Sequence, residues 1–500
     1  MLEGPISQTV VNEVDLTTVD GQRTYQRSVL LLLIAAVQRL LPGATVSVEH
    51  SLSNGVYCEI HGRRPLTPQD TALLEQSMRE MVATNMPIKV ERLPKDEALQ
   101  LLARTNPSAV QLLSGLPARD IPVTSCGDFC DYYHFPVMAH AGLVPHFRLH
   151  FYLPGLILQI PEDNSGTIPP YKEQPKLFSI YREAEKWARI SGVVNAAALN
   201  EAIERGEAGD LIRVSEALHE KKIAAIADMI VTNPEIRLIT IAGPSSSGKT
   251  TFAQRLKIQL RVNGLRPVTI SLDDYFFERD KTPLDETGKP DYESIAALDL
   301  ELLGDHLSRL IQNEPVDIPA FDFHTGKRIP AARRLQIGTD QPIIIEGIHG
   351  LNELLTASIP KGNKFKIYIS ALTQINLHDH IRIHTTDARL IRRMVRDAQF
   401  RSHPADATIR IWPMVRRGER KYIFPFQEEA DVMFNSALLY ELAVLKDKAE
   451  PLLRSIPTGS PERLTADNLL WLLSHFHALP ADEIPNNSIL REFVGGSCFM

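Results

Sequence analysis

The side chains with the most distinctive chemistry lie in one glycine-rich loop. The stretch 236–256 reads IRLITIAGPSSSGKTTFAQRL and places Gly243-x4-Gly248-Lys249-Thr250 between an apolar, strand-like run and an amphipathic, helix-like run. This context predicts a phosphate-binding loop (P-loop), because glycines let the backbone approach a triphosphate and the N–H groups at the helix start point at it. Lys249 would place a charge at the β and γ phosphates, and the Thr250 hydroxyl would ligate magnesium. The residues expected to hold a nucleoside triphosphate are Gly243, Pro244, Ser245, Ser246, Ser247, Gly248, Lys249, Thr250 and Thr251.

Two further segments carry carboxylates where a strand would end. TISLDDYFF, residues 269–277, presents Asp273 and Asp274, and PIIIEG, residues 342–347, ends in Glu346. In a parallel sheet such positions lie at the carboxyl edge, where ligands bind. One aspartate could accept the proton of an attacking hydroxyl, and Glu346 could hold the magnesium or its water shell. The alternatives are an aspartate pair that caps a turn and a glutamate that is a solvated strand end.

A basic segment follows these motifs. Between Arg382 and Lys421 the chain holds ten arginines and one lysine against four acids. The first cluster is Arg389, Arg392, Arg393 and Arg396. Its three- and four-residue spacing places several arginines on one helix face, which suits a lid that neutralises a transferring phosphoryl group. A solvated basic face or an RNA contact is the alternative, above all for the arginines beyond Arg401.

Length and composition limit the classes of protein to which the chain can belong. Five hundred residues exceed what one core usually supports, and 44% hydrophobic and 23% charged residues are ordinary for a globular chain. The net charge of −7 argues against a chain that coats nucleic acid. The longest apolar run, 29–37, is too short to span a bilayer, and no secretory signal precedes it. With four scattered cysteines, no disulfide framework is expected, and we predict a reducing, cytoplasmic setting without membrane contact.

The order of elements predicts the fold class. After residue 236, strand-like runs at 267–272, 342–345 and 365–370 alternate with helix-like stretches, which is typical of a doubly wound parallel α/β sheet of the P-loop NTPase type. Before the proline-rich stretch 161–175, helices and strands mix as in a smaller α+β domain. The end of the chain reads as a helical tail. The predicted domains are 1–175 (α+β), 176–235 (helical connector), 236–440 (P-loop domain) and 441–500 (helical tail).

Six motifs in order carry a family resemblance. They are GPSSSGKTT, LDDYF, PAFDFHTGKR, IIIEGIHGLN, ARLIRRMVRD and ADVMFNS. Together they resemble the uridine kinase branch of the phosphoribulokinase and uridine kinase superfamily over about residues 236–440. The resemblance implies an ATP- and Mg2+-dependent kinase that phosphorylates the 5′-hydroxyl of a nucleoside, uridine or cytidine before others. It implies that Lys249, Asp273, Arg393, Arg396 and Arg401 serve the transfer, that Thr250, Asp273 and Glu346 face the metal, and that Asp274, Tyr275, Glu293, Phe321, His324 and Arg328 face the acceptor.

The chain departs from that family at several positions. Phe321 and Gly326 stand where uridine kinases usually have a tyrosine and a histidine that contact the pyrimidine, and His403 stands where an arginine is common. His324 could substitute from a neighbouring position. The acceptor therefore stays open, and another small alcohol, such as a sugar phosphate or a pantothenate-like molecule, is the alternative. A second alternative is an RNA-binding regulator in which ATP acts as a switch.

The amino-terminal region resembles another family. PGATVSVEHSLSNGVYCEI, TPQDTALLEQSMREMV and CGDFCDYYHFP follow the order of the second amino-terminal domain of threonyl-tRNA synthetases, which is associated with hydrolytic editing. That domain pairs His-x3-His with Cys-x3-His. Here Cys130 and His134 are present and the first pair is missing, so a metal site is doubtful. The resemblance leaves tRNA as a potential partner, and homo-oligomerisation stays open.

Overall fold

A computed structural model describes residues 10–284, 288, 290–322 and 325–499. The amino-terminal region contains a four-stranded antiparallel sheet in the order β2-β3-β9-β8 and a three-stranded sheet in the order β4-β5-β6. Its elements are β1 (Val10–Val11), α1 (Val19–Leu40), β2 (Thr45–Leu52), β3 (Gly55–His61), α2 (Pro68–Ala83), β4 (Ile88–Pro94), α3 (Lys95–Leu102), α4 (Pro107–Ser114), β5 (Asp120–Cys126), β6 (Phe129–Tyr132), β7 (Val137–Met138), β8 (Arg148–Tyr152) and β9 (Gly155–Gln159). The α+β prediction for this region is confirmed.

Local sequence signals explain these elements. Ser53 and Asn54 adopt positive φ angles of 52° and 56° and close the β2–β3 hairpin, as expected for residues that tolerate the left-handed region. Thr67 caps α2: its hydroxyl accepts a hydrogen bond from the Asp70 N–H at 3.2 Å, and the Asp70 carboxylate accepts one from the Thr67 N–H at 2.9 Å. The apolar run 29–37 of α1 is buried in the core of this region.

Helices connect this region to a parallel sheet. They are α5 (Pro175–Ile190), α6 (Ala196–Glu204) and α7 (Ala208–Val231). The sheet has the order β11-β14-β10-β15-β18, and each neighbouring pair is parallel. Its elements and their neighbours are β10 (Leu238–Ala242), α8 (Lys249–Val262), β11 (Val268–Ser271), α9 (Leu300–Ile311), β12 (Val316–Asp322), β13 (Lys327–Leu335), β14 (Ile343–Glu346), β15 (Lys364–Ser370), β16 (Asn376–His378), β17 (Ile381–Arg382), α10 (Thr385–Phe400), α11 (Ala405–Tyr422) and β18 (Val432–Asn435).

The central strands β10 and β15 are buried along their whole length. β10 is almost entirely apolar, as expected of a strand covered on both faces. β15 also buries Lys364 and Lys366, and both ammonium groups pair with Glu353. The predicted α/β fold class is confirmed. The sequence analysis did not anticipate the antiparallel hairpin β12–β13, which projects beside the sheet.

The tail is helical, as predicted, with α12 (Glu441–Arg454), α13 (Arg463–Ser474) and α14 (Arg491–Val494). It reaches the amino-terminal region, where the rings of His134 and Trp471 stack at 4.8 Å between centroids. A buried hydrogen-bond network also crosses between regions: Asp131 accepts from Asn106 at 2.6 Å and pairs with His380 at 2.7 Å. The domain boundaries stay a prediction. Among the residues that the structure describes, no helix has the length and apolar character to cross a membrane.

Candidate active site

The loop between β10 and α8 has the geometry of an anion cradle. Gly248, before the first residue of α8, has a φ of +79°, which favours glycine. A Cβ on Gly243 would lie 2.3 Å from the carbonyl oxygen of Ile369, so this position also requires glycine. The Lys249 ammonium folds over the loop and donates to the carbonyl oxygens of Gly243 at 2.9 Å and Pro244 at 3.1 Å. The charge thus lies directly above the loop backbone.

Hydroxyl groups of the loop remain available for a ligand. The buried hydroxyls of Ser246 and Ser247 have no hydrogen-bond partner within the described part of the chain. Buried polar groups are normally paired, so these two fit a loop that donates to phosphate oxygens. Thr251 differs, because its N–H and hydroxyl donate to the Glu492 carboxylate at 3.3 and 2.8 Å.

Glu346 meets the P-loop helix through the sheet register. It ends β14, which lies between β10 and β11, opposite Ile241 on one side and Ser271 on the other. The Thr250 hydroxyl contacts both Glu346 oxygens, at 2.9 and 3.1 Å. Burial raises the pKa of Glu346, and the charge of Lys249 opposes that shift. A hydroxyl and a carboxylate are therefore side by side at the carboxyl edge of the sheet.

Asp273 lies at the same edge, in the short 3-10 turn that follows β11. Burial raises its pKa, while the charges of Lys249 and Arg401 act to lower it. The side chain is nevertheless accessible to solvent, so it faces an open cleft rather than the core. Among the predicted groups, Lys249, Thr250, Glu346 and Asp273 are brought together.

The two residues after Asp273 are held by contacts inside the protein. Tyr275 is fully buried, and its hydroxyl pairs with the His306 ring nitrogen at 3.0 Å. The expected contacts of Asp274 and Tyr275 with the acceptor stay a prediction. The Asp274 carboxylate accepts a hydrogen bond from the Phe321 N–H, and burial raises its pKa. Asp274 therefore joins the turn to the β12–β13 hairpin.

The first half of the arginine-rich helix α10 has a different role from the lid that the sequence predicts. Arg389 and Arg392 are 1% and 0% exposed and form buried ion pairs with Glu419 and Glu441. Arg389 also donates to the Ser245 carbonyl oxygen at 2.9 Å. These arginines support the P-loop from beneath and cannot move as an exposed lid, because each would have to break a buried ion pair.

The second half of the cluster lies closer to the reacting groups. Arg393, Arg396 and Arg401 lie 3.3, 2.7 and 3.6 Å from the Asp397 carboxylate, which holds the three cations together. Arg393 also donates to the Ser245 hydroxyl at 2.7 Å. Arg401 is the most accessible of the three, with 59% of its side chain exposed. Their part in phosphoryl transfer stays a prediction.

The predicted acceptor residues are distributed around the cleft. Burial, and then the charge of Glu419, raise the pKa of Glu293. The charges of Arg393 and Lys249 oppose this rise. Arg328 is paired with Asp299 at 2.8 Å. His324 lies outside the described residues.

Phe321 packs its ring 5.9 Å from that of Phe276. Gly326 has a φ of +69°, and a Cβ there would lie 2.4 Å from the Arg279 side chain. The hairpin turn therefore disfavours a histidine at this position, because its backbone conformation favours glycine and the Arg279 side chain would have to move.

Of the four arginines between Arg401 and Lys421, two form ion pairs within the protein, and Arg417 and Arg420 are exposed. Arg410 pairs with Asp406 at 2.9 Å and with Glu462 at 2.8 Å, and Arg416 pairs with Glu419 at 2.7 Å. In the region that resembles the synthetases, His134 is stacked on Trp471, and no cluster of three metal-ligating side chains occurs among the described residues. These observations favour structural roles for Arg410, Arg416 and His134.

Sequence analysis missed the contribution of the tail. Glu492 is 7% exposed beside Thr251, and a Cβ on Gly248 would lie 2.4 Å from the Ile489 side chain. The tail therefore covers the start of α8. No local motif marks these residues, and the pairing of Glu492 with Thr251 spans 241 positions.

Comparison with known proteins agrees with this geometry. A sheet, loop and carboxylates of this kind define a P-loop kinase of a small substrate. The model of the "Phosphoribulokinase / Uridine kinase family" matches residues 238–441. A uridine kinase from Chloroflexus aggregans is 30% identical over 200 residues, which cover 39% of this chain and 85% of that protein. The chain belongs to the phosphoribulokinase and uridine kinase family and is a phosphotransferase with an alcohol group as acceptor.

The amino-terminal region matches other proteins. A threonine–tRNA ligase from Nitratidesulfovibrio vulgaris is 29% identical over 146 residues, which cover 29% of this chain and 23% of that protein. The chain thus spans about a quarter of the length of the ligases that it matches. A solved structure titled as a possible uridine kinase from Bacillus stearothermophilus is 20% identical, with a TM-score of 0.29, and covers 43% of this chain and 98% of its own.

Proposed function

We propose that this protein transfers the γ-phosphoryl group of ATP to the 5′-hydroxyl of a nucleoside, with uridine and cytidine as the first candidates. The observation that carries the proposal is the convergence of Lys249, Asp273 and the Thr250–Glu346 contact at one sheet edge. Transfer to an alcohol needs a cation at the donor phosphates and a base at the acceptor hydroxyl. Both are within one cleft.

The residues at this edge suit magnesium. Mg2+ prefers oxygen ligands and keeps several waters and phosphate oxygens, so it needs few protein groups. The Thr250 hydroxyl and the Glu346 carboxylate are 2.9 Å apart. The charge of Lys249 acts on the Asp273 carboxyl and favours its ionised form. These three residues would hold the ion, which supplies charge neutralisation at the donor phosphates.

Asp273 is proposed as the group that accepts the proton of the attacking hydroxyl. Lys249 would hold the β and γ phosphates once its contacts with the loop carbonyls are exchanged for phosphate oxygens. Arg393, Arg396 and Arg401 would neutralise charge that develops on the transferred group and keep water away from it. Asp397 is the residue that positions these arginines.

A second acceptor class is favoured by one observation. Gly326 occupies a turn whose backbone conformation disfavours the histidine expected to contact a pyrimidine. Phe321 and Phe276 instead present apolar surface at this side of the cleft. Another small alcohol, such as a sugar phosphate or a pantothenate-like molecule, is therefore the second candidate.

The test is an acceptor panel with purified protein. We expect monophosphate from uridine or cytidine with ATP and Mg2+, and a loss of roughly 10²- to 10³-fold in kcat for Lys249→Met. Lys257→Met, on the same helix, is the matched control and should retain activity. Turnover of no nucleoside would reject the substrate class, and unchanged activity of Lys249→Met would reject the site.

The same panel, read by thermal shift with a non-hydrolysable ATP analogue, separates the two acceptor classes. The true acceptor should raise the melting temperature of the ternary complex beyond that of the binary one. A shift from a sugar phosphate or a pantothenate-like compound, with none from nucleosides, would favour the second candidate.

A further inference from the structure

A cavity lies where the amino-terminal region, the segment before α10 and the tail meet. Its volume is about 180 Å³. Helix α1 contributes Arg23 and Arg27, β17 contributes Arg382, and α13 contributes Trp471. None of the loop residues 243–251 lines it, so it is separate from the P-loop site. We call it the arginine cavity.

Positive charge exceeds negative charge in this cavity. Its three arginines face two carboxylates, Asp20 and Asp387. Arg23 pairs with Asp387 at 2.6 Å, and both side chains keep about one fifth of their surface accessible, 22% and 20%. Within the described ranges, the Arg382 guanidinium forms no hydrogen bond and no ion pair, although the charges of Asp387 and Glu49 act on it from a greater distance. The Arg382 guanidinium can therefore donate hydrogen bonds to an anion in the cavity.

Arg27 adds a second cation with no carboxylate partner. Among the described residues, its guanidinium has the Pro136 carbonyl oxygen as acceptor and lies 5.1 Å from the centre of the Phe135 ring. Burial first, and then the charge of Arg23, lowers the pKa of Arg27 and of Arg382 to about 10, so both stay charged at neutral pH. The burial of Arg27 and Arg382 without a hydrogen-bonded carboxylate has a desolvation cost, and a bound anion would offset that cost.

The remaining walls are largely apolar. Phe135, Trp471 and Leu472 line them. Such a wall suits the organic part of a ligand, whereas planar guanidinium groups match the oxygens of a phosphate in a bidentate way. We propose that the arginine cavity is a second, non-catalytic site that binds a small phosphate monoester through Arg23, Arg27 and Arg382.

The position of the cavity couples it to the P-loop. Asp387 lies in the first turn of α10. The same helix carries Arg389 and Arg393, which donate to Ser245 at 2.9 and 2.7 Å. A bound phosphate would compete with Asp387 for Arg23 and would change the support of α10. The proposed site and the P-loop therefore contact the same helix.

Calorimetric titration of the full chain tests the proposal. A saturating non-hydrolysable ATP analogue fills the P-loop, and the probes are ribose 5-phosphate, uridine 5′-monophosphate and inorganic phosphate. We expect one monoester per chain, and a loss of affinity of about 10-fold or more in Arg382→Gln, the size of one charge-assisted hydrogen bond. Arg266→Gln, whose side chain is 79% exposed outside the cavity, should bind as the wild type does.

The probes distinguish the source of the phosphate. Tighter binding of uridine 5′-monophosphate than of ribose 5-phosphate assigns a nucleotide, and equal binding assigns any small monoester. Inorganic phosphate that binds as tightly as both would overturn the role of the apolar wall. Binding that is absent, or that Arg382→Gln leaves unchanged, overturns the site.

Two controls keep the experiment decisive. Arg382→Lys retains the charge and should recover part of the affinity lost in Arg382→Gln, which a merely structural role would not predict. Wild-type affinity of both variants for the ATP analogue shows that they are folded. If the analogue binds no form of the protein, the proposed function fails, while the monoester titration alone still tests the cavity.

Discussion

The carboxylate of Glu492 is expected to compete with ATP for the start of α8. It accepts hydrogen bonds from the Thr251 N–H at 3.3 Å and from the Thr251 hydroxyl at 2.8 Å. These donors lie in the first turn of the P-loop helix, where the loop is expected to receive the α and β phosphates. Glu492→Gln keeps the size of this buried side chain and removes its charge. We therefore predict that Glu492→Gln binds ATP more tightly than the wild type.

The magnitude follows from the two contacts. A hydrogen bond to a charged group contributes about 1.5–3 kcal/mol, and a neutral one contributes about 1 kcal/mol. Removal of the charge should weaken the two contacts by roughly 1–4 kcal/mol in total, and the lower end of this range corresponds to about 5-fold tighter binding of ATP. Relief of repulsion between the carboxylate and the phosphates acts in the same direction.

The assay is an equilibrium titration with a fluorescent ATP analogue and Mg2+, without acceptor, so that no turnover occurs. Glu483→Gln is the matched control, because this tail glutamate is 62% exposed and, among the residues that the structure describes, pairs only with the surface residue Arg213. An affinity of Glu492→Gln that equals or falls below the wild-type value would refute the reasoning. Glu492 would then be a residue that orders the P-loop rather than one that occupies it.

Three further predictions test the site and its support. Asp273→Asn should lower kcat by about 10²- to 10⁴-fold with ATP affinity retained, and a kcat near the wild-type value would exclude a base role. Because burial raises the pKa of Asp273 above its ordinary value of 3.8, the base is protonated at a higher pH than a free aspartate. We therefore expect kcat/KM to fall on the acid side with an apparent pKa above 3.8, and a flat profile there contradicts this assignment. Glu441→Gln leaves the buried Arg392 without its ion-pair partner and should cost about 3 kcal/mol in urea unfolding, whereas Glu450→Gln on the same helix should cost less than about 1 kcal/mol.

Patterns confined to a few residues were predictable. The capping box at Thr67 and Asp70 needs only a hydroxyl and a carboxylate three positions apart, and it forms as such a sequence indicates. Four strands of the parallel sheet, β10, β11, β14 and β15, were predictable because strands of such a sheet are rich in apolar and β-branched residues. Glu346 could be located next to the P-loop because strand ends of one parallel sheet meet at a common edge.

The orientation of a side chain was less predictable. Tyr275 follows Asp273 in a motif associated with the acceptor, yet it is buried against His306. Spacing along a helix showed that the arginines of α10 share faces, but not that Glu419 and Glu441 would bury two of them. The sequence of one helix contains no information on which acids another helix presents to it.

By itself, the sequence determined the phosphate-binding loop, the parallel sheet that carries it, and the carboxylates at the ends of two strands. Each of these depends on hydrogen bonds and burial patterns within short segments. Only the tertiary structure decided that Glu492 meets Thr251, that Arg392 lies beneath the loop, and that Arg382 opens into a cavity with α1. Such contacts join segments that are far apart in the chain, and they depend on how whole elements pack rather than on any local pattern.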